Sequence, residues 1–96
     1  MKKFVFLYCR DGESPKGDVE AWTNWFKSAG DVWVDIGNPF GQSKEVTSTE
    51  VKDGDSGALQ ATGYSIVKAA DMDAAVAIAK SCPATDCVKV YEALPM

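Results

Sequence analysis

The side chains with the chemistry to handle a small polar substrate are Tyr8, Arg10, Trp22, Asp35, Asn38, Tyr64 and Ser65. Asp35 interrupts the apolar run Asp31-Val-Trp-Val-Asp-Ile36. A carboxylate turned into an apolar interior has its charged form disfavoured, which raises its pKa toward the range of a general acid or base. The plainer reading is a carboxylate facing solvent, or one paired with Arg10 or a lysine. Tyr8, Arg10, Tyr64, Ser65 and Tyr91 would then either line a cavity as hydroxyl and guanidinium donors or serve as sheet residues with satisfied hydrogen bonds. Trp22 reads as packing or as a wall for a ligand. The chain has no histidine, which removes the side chain most used for proton transfer near neutral pH.

The other reactive groups suggest little. The three cysteines, Cys9, Cys82 and Cys87, lack the spacing and the fourth ligand of a tetrahedral zinc site, so neither a metal nor a cofactor is expected. Cys82 lies on an apolar helical face, where a thiol reads as a small hydrophobe, and no imidazole is available to activate it. Asn38, Phe40 and Ser43 lie in a glycine-containing turn without the spaced glycines and following helix of a phosphate loop. Asp53 and Asp55 flank Gly54 as a solvated turn, lacking the graded ligand series of a calcium loop.

The elements that would position these residues follow from length and pattern. The chain has 96 residues, 46% of them hydrophobic and 25% charged, which fits one globular domain over 1–96 with a modest core. Its net charge of −4 and scattered basic residues argue against nucleic acid or an anionic membrane as partner. No segment approaches the ~20 apolar residues of a membrane span, and the odd, sparse cysteines differ from a secreted disulfide scaffold, so a cytoplasmic location is expected.

Residues 3 to 9 carry apolar side chains at both parities, as in a strand covered on two faces. A polar segment from Arg10 to Gly17 leads to Asp18 as a helix N-cap. Val19, Trp22, Phe26 and Ala29 then share a helical face with Trp25 at its flank, and Gly30 ends the helix. Residues 31 to 36 alternate as a second strand, and Gly37-Asn-Pro-Phe-Gly41 breaks it. The long interval from 42 to 62 has room for a short hairpin or edge strand around Val46 and Val51. Tyr64 to Ala69 forms a third strand. Asp71 caps a helix with Ala74, Ala75, Ile78, Ala79 and Cys82 on one face, ended near Pro83, and Cys87 to Leu94 is the last strand.

The order strand, helix, strand, strand, helix, strand implies an α+β, ferredoxin-like βαββαβ domain whose four-stranded antiparallel sheet carries both helices on one face. Strands with apolar residues at both parities need a cover on the second face as well. The simplest is the sheet of another copy, giving a homodimer joined through sheet faces.

Gly63-Tyr-Ser-Ile-Val-Lys-Ala-Ala-Asp-Met-Asp-Ala-Ala-Val-Ala-Ile-Ala-Lys-Ser-Cys-Pro83, with Val88-Lys-Val-Tyr-Glu-Ala-Leu94 and Gly37-Asn-Pro-Phe-Gly41, resembles the YCII-related family. The resemblance implies a ferredoxin-like domain paired into a dimeric α/β barrel. Some relatives carry a histidine in the first helix working with an acidic residue near the end of the second; here those places hold Trp22, Trp25 and Ser81-Cys82. The Asp-Gly-Pro-Phe motif of a neighbouring branch is also missing, since Asn38-Pro39-Phe40 lacks that order. The expected role is therefore a homodimeric module binding a small organic molecule between sheet and helices. The alternatives are a cofactor-independent lyase, isomerase or hydrolase acting on a small organic acid through Asp35, or a protein-interaction module.

Overall fold

The computed structural model describes residues 1–11, 19–54, 59–83 and 86–96. Asp18 as N-cap, the loop after Asp11 and Asp55 lie outside these. The elements are β1 (Lys2–Asp11), α1 (Val19–Ser28), a 3-10 turn (Gly30–Val32), β2 (Trp33–Asp35), β3 (Lys44–Val46), β4 (Val51–Asp53), β5 (Leu59–Ala69), α2 (Met72–Ala79) and β6 (Cys87–Ala93). Four strands form an antiparallel sheet in the order β2-β5-β1-β6, while β3 and β4 pair separately as a hairpin. The fold is thus α+β, with six strands where a simple βαββαβ order would have four. The additional pair fills part of the long interval.

Alternation along the strands divides the sheet into two faces. Phe4, Phe6 and Tyr8 of β1 are buried with Val67 and Ala69 of β5, Trp25 of α1 and Ala75 of α2. Trp22, Phe26, Ala74, Ile78, Ala79, Val88 and Val90 pack against that cluster, so both helices cover this one face. The opposite parity presents two cross-strand rows. Tyr91, Val5 and Ile66 form one, and Lys89, Leu7 and Tyr64 the other. No helix of the described residues joins them. The molecule is correspondingly thin, with extents of 41 × 36 × 19 Å. Its radius of gyration of 14.3 Å exceeds the roughly 12.5 Å expected of a compact chain this long.

Local chemistry accounts for the elements and for their departures from the pattern. Asp71 caps α2 through its carboxylate, which accepts from the Ala74 amide at 2.8 Å. In α1 the most buried residue is Trp25, 5% exposed, whereas Val19 is 79% exposed, so the helix is rolled relative to the face its spacing suggests. The reason is aromatic packing: Trp25 lies edge-on to Tyr8 and Trp33 at centroid distances of 6.1 and 5.3 Å. The same packing shortens the second strand. Trp33 turns toward the helices and donates its indole N–H to the Phe26 carbonyl at 2.8 Å. A register shift between Trp33 and Asp35 follows, leaving Val34 and Ile36 about half exposed.

Candidate functional site

The register decides which candidate residues meet. Asp35 stands opposite Ile66 and reaches Tyr64, two residues along β5 on the same open face. One carboxylate oxygen accepts from the Tyr64 hydroxyl at 3.1 Å, and the other accepts from the Gly37 amide at 2.8 Å. After Gly37 the chain runs beside β5: the Tyr64 amide donates to the Asn38 carbonyl at 3.3 Å, the Phe40 amide donates to Thr62 at 2.8 Å, and Pro39 bridges to Gly63. This brings the Phe40 ring over Tyr64, stacked at 5.8 Å with 19° between planes. Asp35, Asn38 and Tyr64 therefore form one corner, at the β2 edge of the open face.

Tyr8, Trp22 and Ser65 lie on the other side of the sheet. Tyr8 donates to the Ser65 hydroxyl at 2.8 Å, and Ser65 donates to the Ile36 carbonyl. Trp22 lies edge-on to Tyr8 at 5.1 Å. Burial pushes the Tyr8 phenol well above its ordinary pKa, against the lowering effect of its Ser65 hydrogen bond. This group is a filled, satisfied part of the core, and its aromatic rings occupy the space between sheet and α1.

Arg10 belongs to neither group. It pairs with Gln60, six residues along β5 from the partner of Asp35, or about 20 Å at strand spacing. Its Nε is buried and, among the described residues, has no hydrogen-bond partner. The structure thus places no guanidinium beside Asp35.

Two hollows open to solvent lie elsewhere. A groove of about 300 Å³ runs between α2 and β6, lined by Val76, Ala79, Lys80, Cys82, Cys87, Val88 and Val90. A second, of about 340 Å³, lies beside Val32, Lys68, Ala74 and Ile78. Burial pushes the Cys82 thiol up to about 12, so it rests as a neutral thiol. Among the described residues no group of three or more His, Cys, Asp or Glu could hold a metal ion, and no helix is long and apolar enough to cross a membrane.

Comparison with protein-family models, curated proteins and solved structures found no match to this chain. The Asp35–Tyr64–Phe40 corner is defined by its own geometry. It offers a carboxylate fixed through both oxygens beside a flat stacked pair of rings, an arrangement suited to orienting a planar molecule that carries a hydrogen-bond donor. Phe40 is the member that strand and helix periodicity does not reveal, because its position depends on a turn folding back along β5. The separation of Tyr64 from Ser65 was available from parity alone: adjacent residues in a strand point to opposite faces.

Proposed function

We propose that this chain is a binding module of the ferredoxin-like, YCII-related type. It pairs with a second copy through its open sheet face and holds a small, planar, partly apolar molecule at the Asp35–Tyr64–Phe40 corner. The observation that carries the reading is a sheet face over which, among the described residues, no helix lies. Val5, Leu7, Tyr64 and Ile66 form a half-buried apolar centre, extended by Tyr91 at 52% exposure, while both helices lie on the other side. The strand order β2-β5-β1-β6, with helices following β1 and β5, supports the ferredoxin-like description. The hairpin β3–β4 is an insertion within it.

The corner favours binding over catalysis. Asp35 is exposed and already accepts two hydrogen bonds, so its carboxylate is an orienting group in a solvated setting. The aromatic filling beneath α1 moves the ligand from between sheet and helices to the open face. A second copy laid on that face would close the corner from above and exclude water from the Phe40–Tyr64 ledge.

Native mass spectrometry of freshly purified protein tests both parts. The expected spectrum is a dimer carrying a small-molecule adduct that is lost in Phe40→Ala and weakened in Asp35→Asn. A monomer at micromolar concentration would overturn the pairing. An adduct that survives Phe40→Ala would overturn the location.

A further inference from the structure

Cys9 of β1 and Cys87 of β6 are direct partners across the antiparallel ladder, in an unbroken register that runs from Lys3 opposite Ala93 to this pair. Opposed residues in such a ladder have Cα atoms about 4.5 to 5.5 Å apart, within the roughly 4.4 to 6.8 Å that disulfides span, and their side chains leave the sheet on the same face. The pair closes the ladder. Just beyond it the Asp86 amide donates to the Cys9 carbonyl at 3.1 Å, holding the end of β6 against β1. Cys9 is 1% exposed and Cys87 is partly exposed, so a reagent from solvent meets Cys87 first.

We propose that Cys9 and Cys87 are a thiol modification site that closes into a reversible cross-strand disulfide. The oxidant is a low-molecular-weight disulfide. The Cys87 thiolate attacks one of its sulfurs, forming a mixed disulfide and releasing one small thiol. The Cys9 thiolate then attacks Cys87 Sγ, displacing the second small thiol and forming the Cys9–Cys87 bond. The protein loses two electrons and two protons, and the reagent becomes two thiols. Cys82, which lines the α2–β6 groove with Cys87, is the competitor, but it has no opposed strand partner. Its raised pKa makes it a poor nucleophile at neutral pH. Closure would fasten the edge strand β6 to the centre of the sheet.

The test is incubation of the folded, reduced chain with glutathione disulfide, followed by acid quenching and intact mass measurement. Closure is read as a loss of about 2 Da with no retained glutathione, reversed by dithiothreitol. Trypsin releases Cys9 on residues 4–10 and both Cys82 and Cys87 on residues 81–89, and a further cut before Asp86 separates the latter two. The expected link joins residues 4–10 to residues 86–89, persists in Cys82→Ala and is lost in Cys87→Ala, a partly exposed position where the fold should tolerate the change. A Cys82–Cys87 link, a stable glutathione adduct, a link between two chains or no loss of mass at all would each overturn the proposal.

Discussion

Trp25 donates its indole N–H to the Ser81 hydroxyl at 2.9 Å, tying α1 to the chain two residues beyond the end of α2. Ser81 in turn donates to the Ile78 carbonyl at 3.2 Å, so one hydroxyl joins the two helices above the sheet. Trp25 also touches Tyr8, Trp22, Phe26 and Trp33 with ring centroids between 5.3 and 6.1 Å. Trp25→Ala should therefore cost about 3 to 5 kcal/mol and leave a domain this small near its unfolding threshold. Ser81→Ala removes only the hydrogen bond and should cost about 1 kcal/mol. Urea midpoints check the ranking, and equal effects would show that the helix-to-helix bond outweighs the packing.

The buried Tyr8 phenol and the Cys82 thiol set the alkaline limit of stability. Both have folded-state pKa values above the ordinary 10.0 and 9.0, with Cys82 reaching about 12. The folded chain thus keeps protons that the unfolded chain has released. The stabilisation is complete below the unfolded values and is lost as pH rises through the folded ones. The urea midpoint should hold level to about pH 9, begin to fall as unfolded Cys82 ionises and fall faster beyond pH 10. Cys82→Ala should flatten the first part of the decline and Tyr8→Phe the second. A midpoint that stays level to pH 11 would contradict both assignments.

Gly37 is required by space as well as by backbone angle. Its φ is 87°, and a Cβ there would meet the Tyr64 carbonyl oxygen at 1.7 Å, backbone against backbone. Gly30 has a similar φ of 74° but open space around it. Gly30→Ala should cost about 1 to 2 kcal/mol, the ordinary cost of a left-handed residue with a side chain. Gly37→Ala should cost clearly more, because the 38–40 segment must leave β5 and take Phe40 off Tyr64. Thermal denaturation gives the ranking, and loss of the Phe40–Tyr64 ring-current shifts in the NMR spectrum identifies the cause.

Periodicity was informative where one side chain's environment is set by its own element. Apolar residues at both parities in β1, which suggest a strand covered on two faces, form one row beneath the helices and one on a face over which no helix of the described residues lies, while Asp71 caps α2 as its position suggests. Of the short hairpin or edge strand for which the interval around Val46 and Val51 has room, it is the hairpin that is present, as β3 and β4. Periodicity failed where aromatic rings from several elements compete for one space. Trp33 turns to the helices to meet Trp25 and Phe26, which shortens β2 and rolls α1, and no count along either segment contains that contact. The candidate residues divided for the same reason: Tyr8 and Ser65 were drawn into the filled core, while Asp35 and Tyr64 stayed on the face away from the helices. Nothing local to Tyr64 marked Phe40 as its stacking partner.

Ile66 offers the cleanest test of the uncovered face. It lies between Val5 of β1 and Asp35 of β2, half-buried by its strand neighbours and, among the described residues, with no helix above it. In an isolated chain Ile66→Lys should be mild, about 1 kcal/mol, because the lysine stem can lie along the sheet with its ammonium in water. In a sheet-to-sheet pair the same ammonium would be forced into an apolar interface at a cost that separates the subunits. Sedimentation at micromolar concentration should therefore show the mass falling from dimer to monomer in Ile66→Lys, with the far-ultraviolet circular dichroism unchanged. Val67→Lys is the control, since Val67 is 0% exposed beneath the helices and its replacement should unfold the chain whatever its assembly. A wild-type chain that already sediments as a monomer, or an Ile66→Lys variant that remains dimeric, would mean that the open face is not where two copies meet.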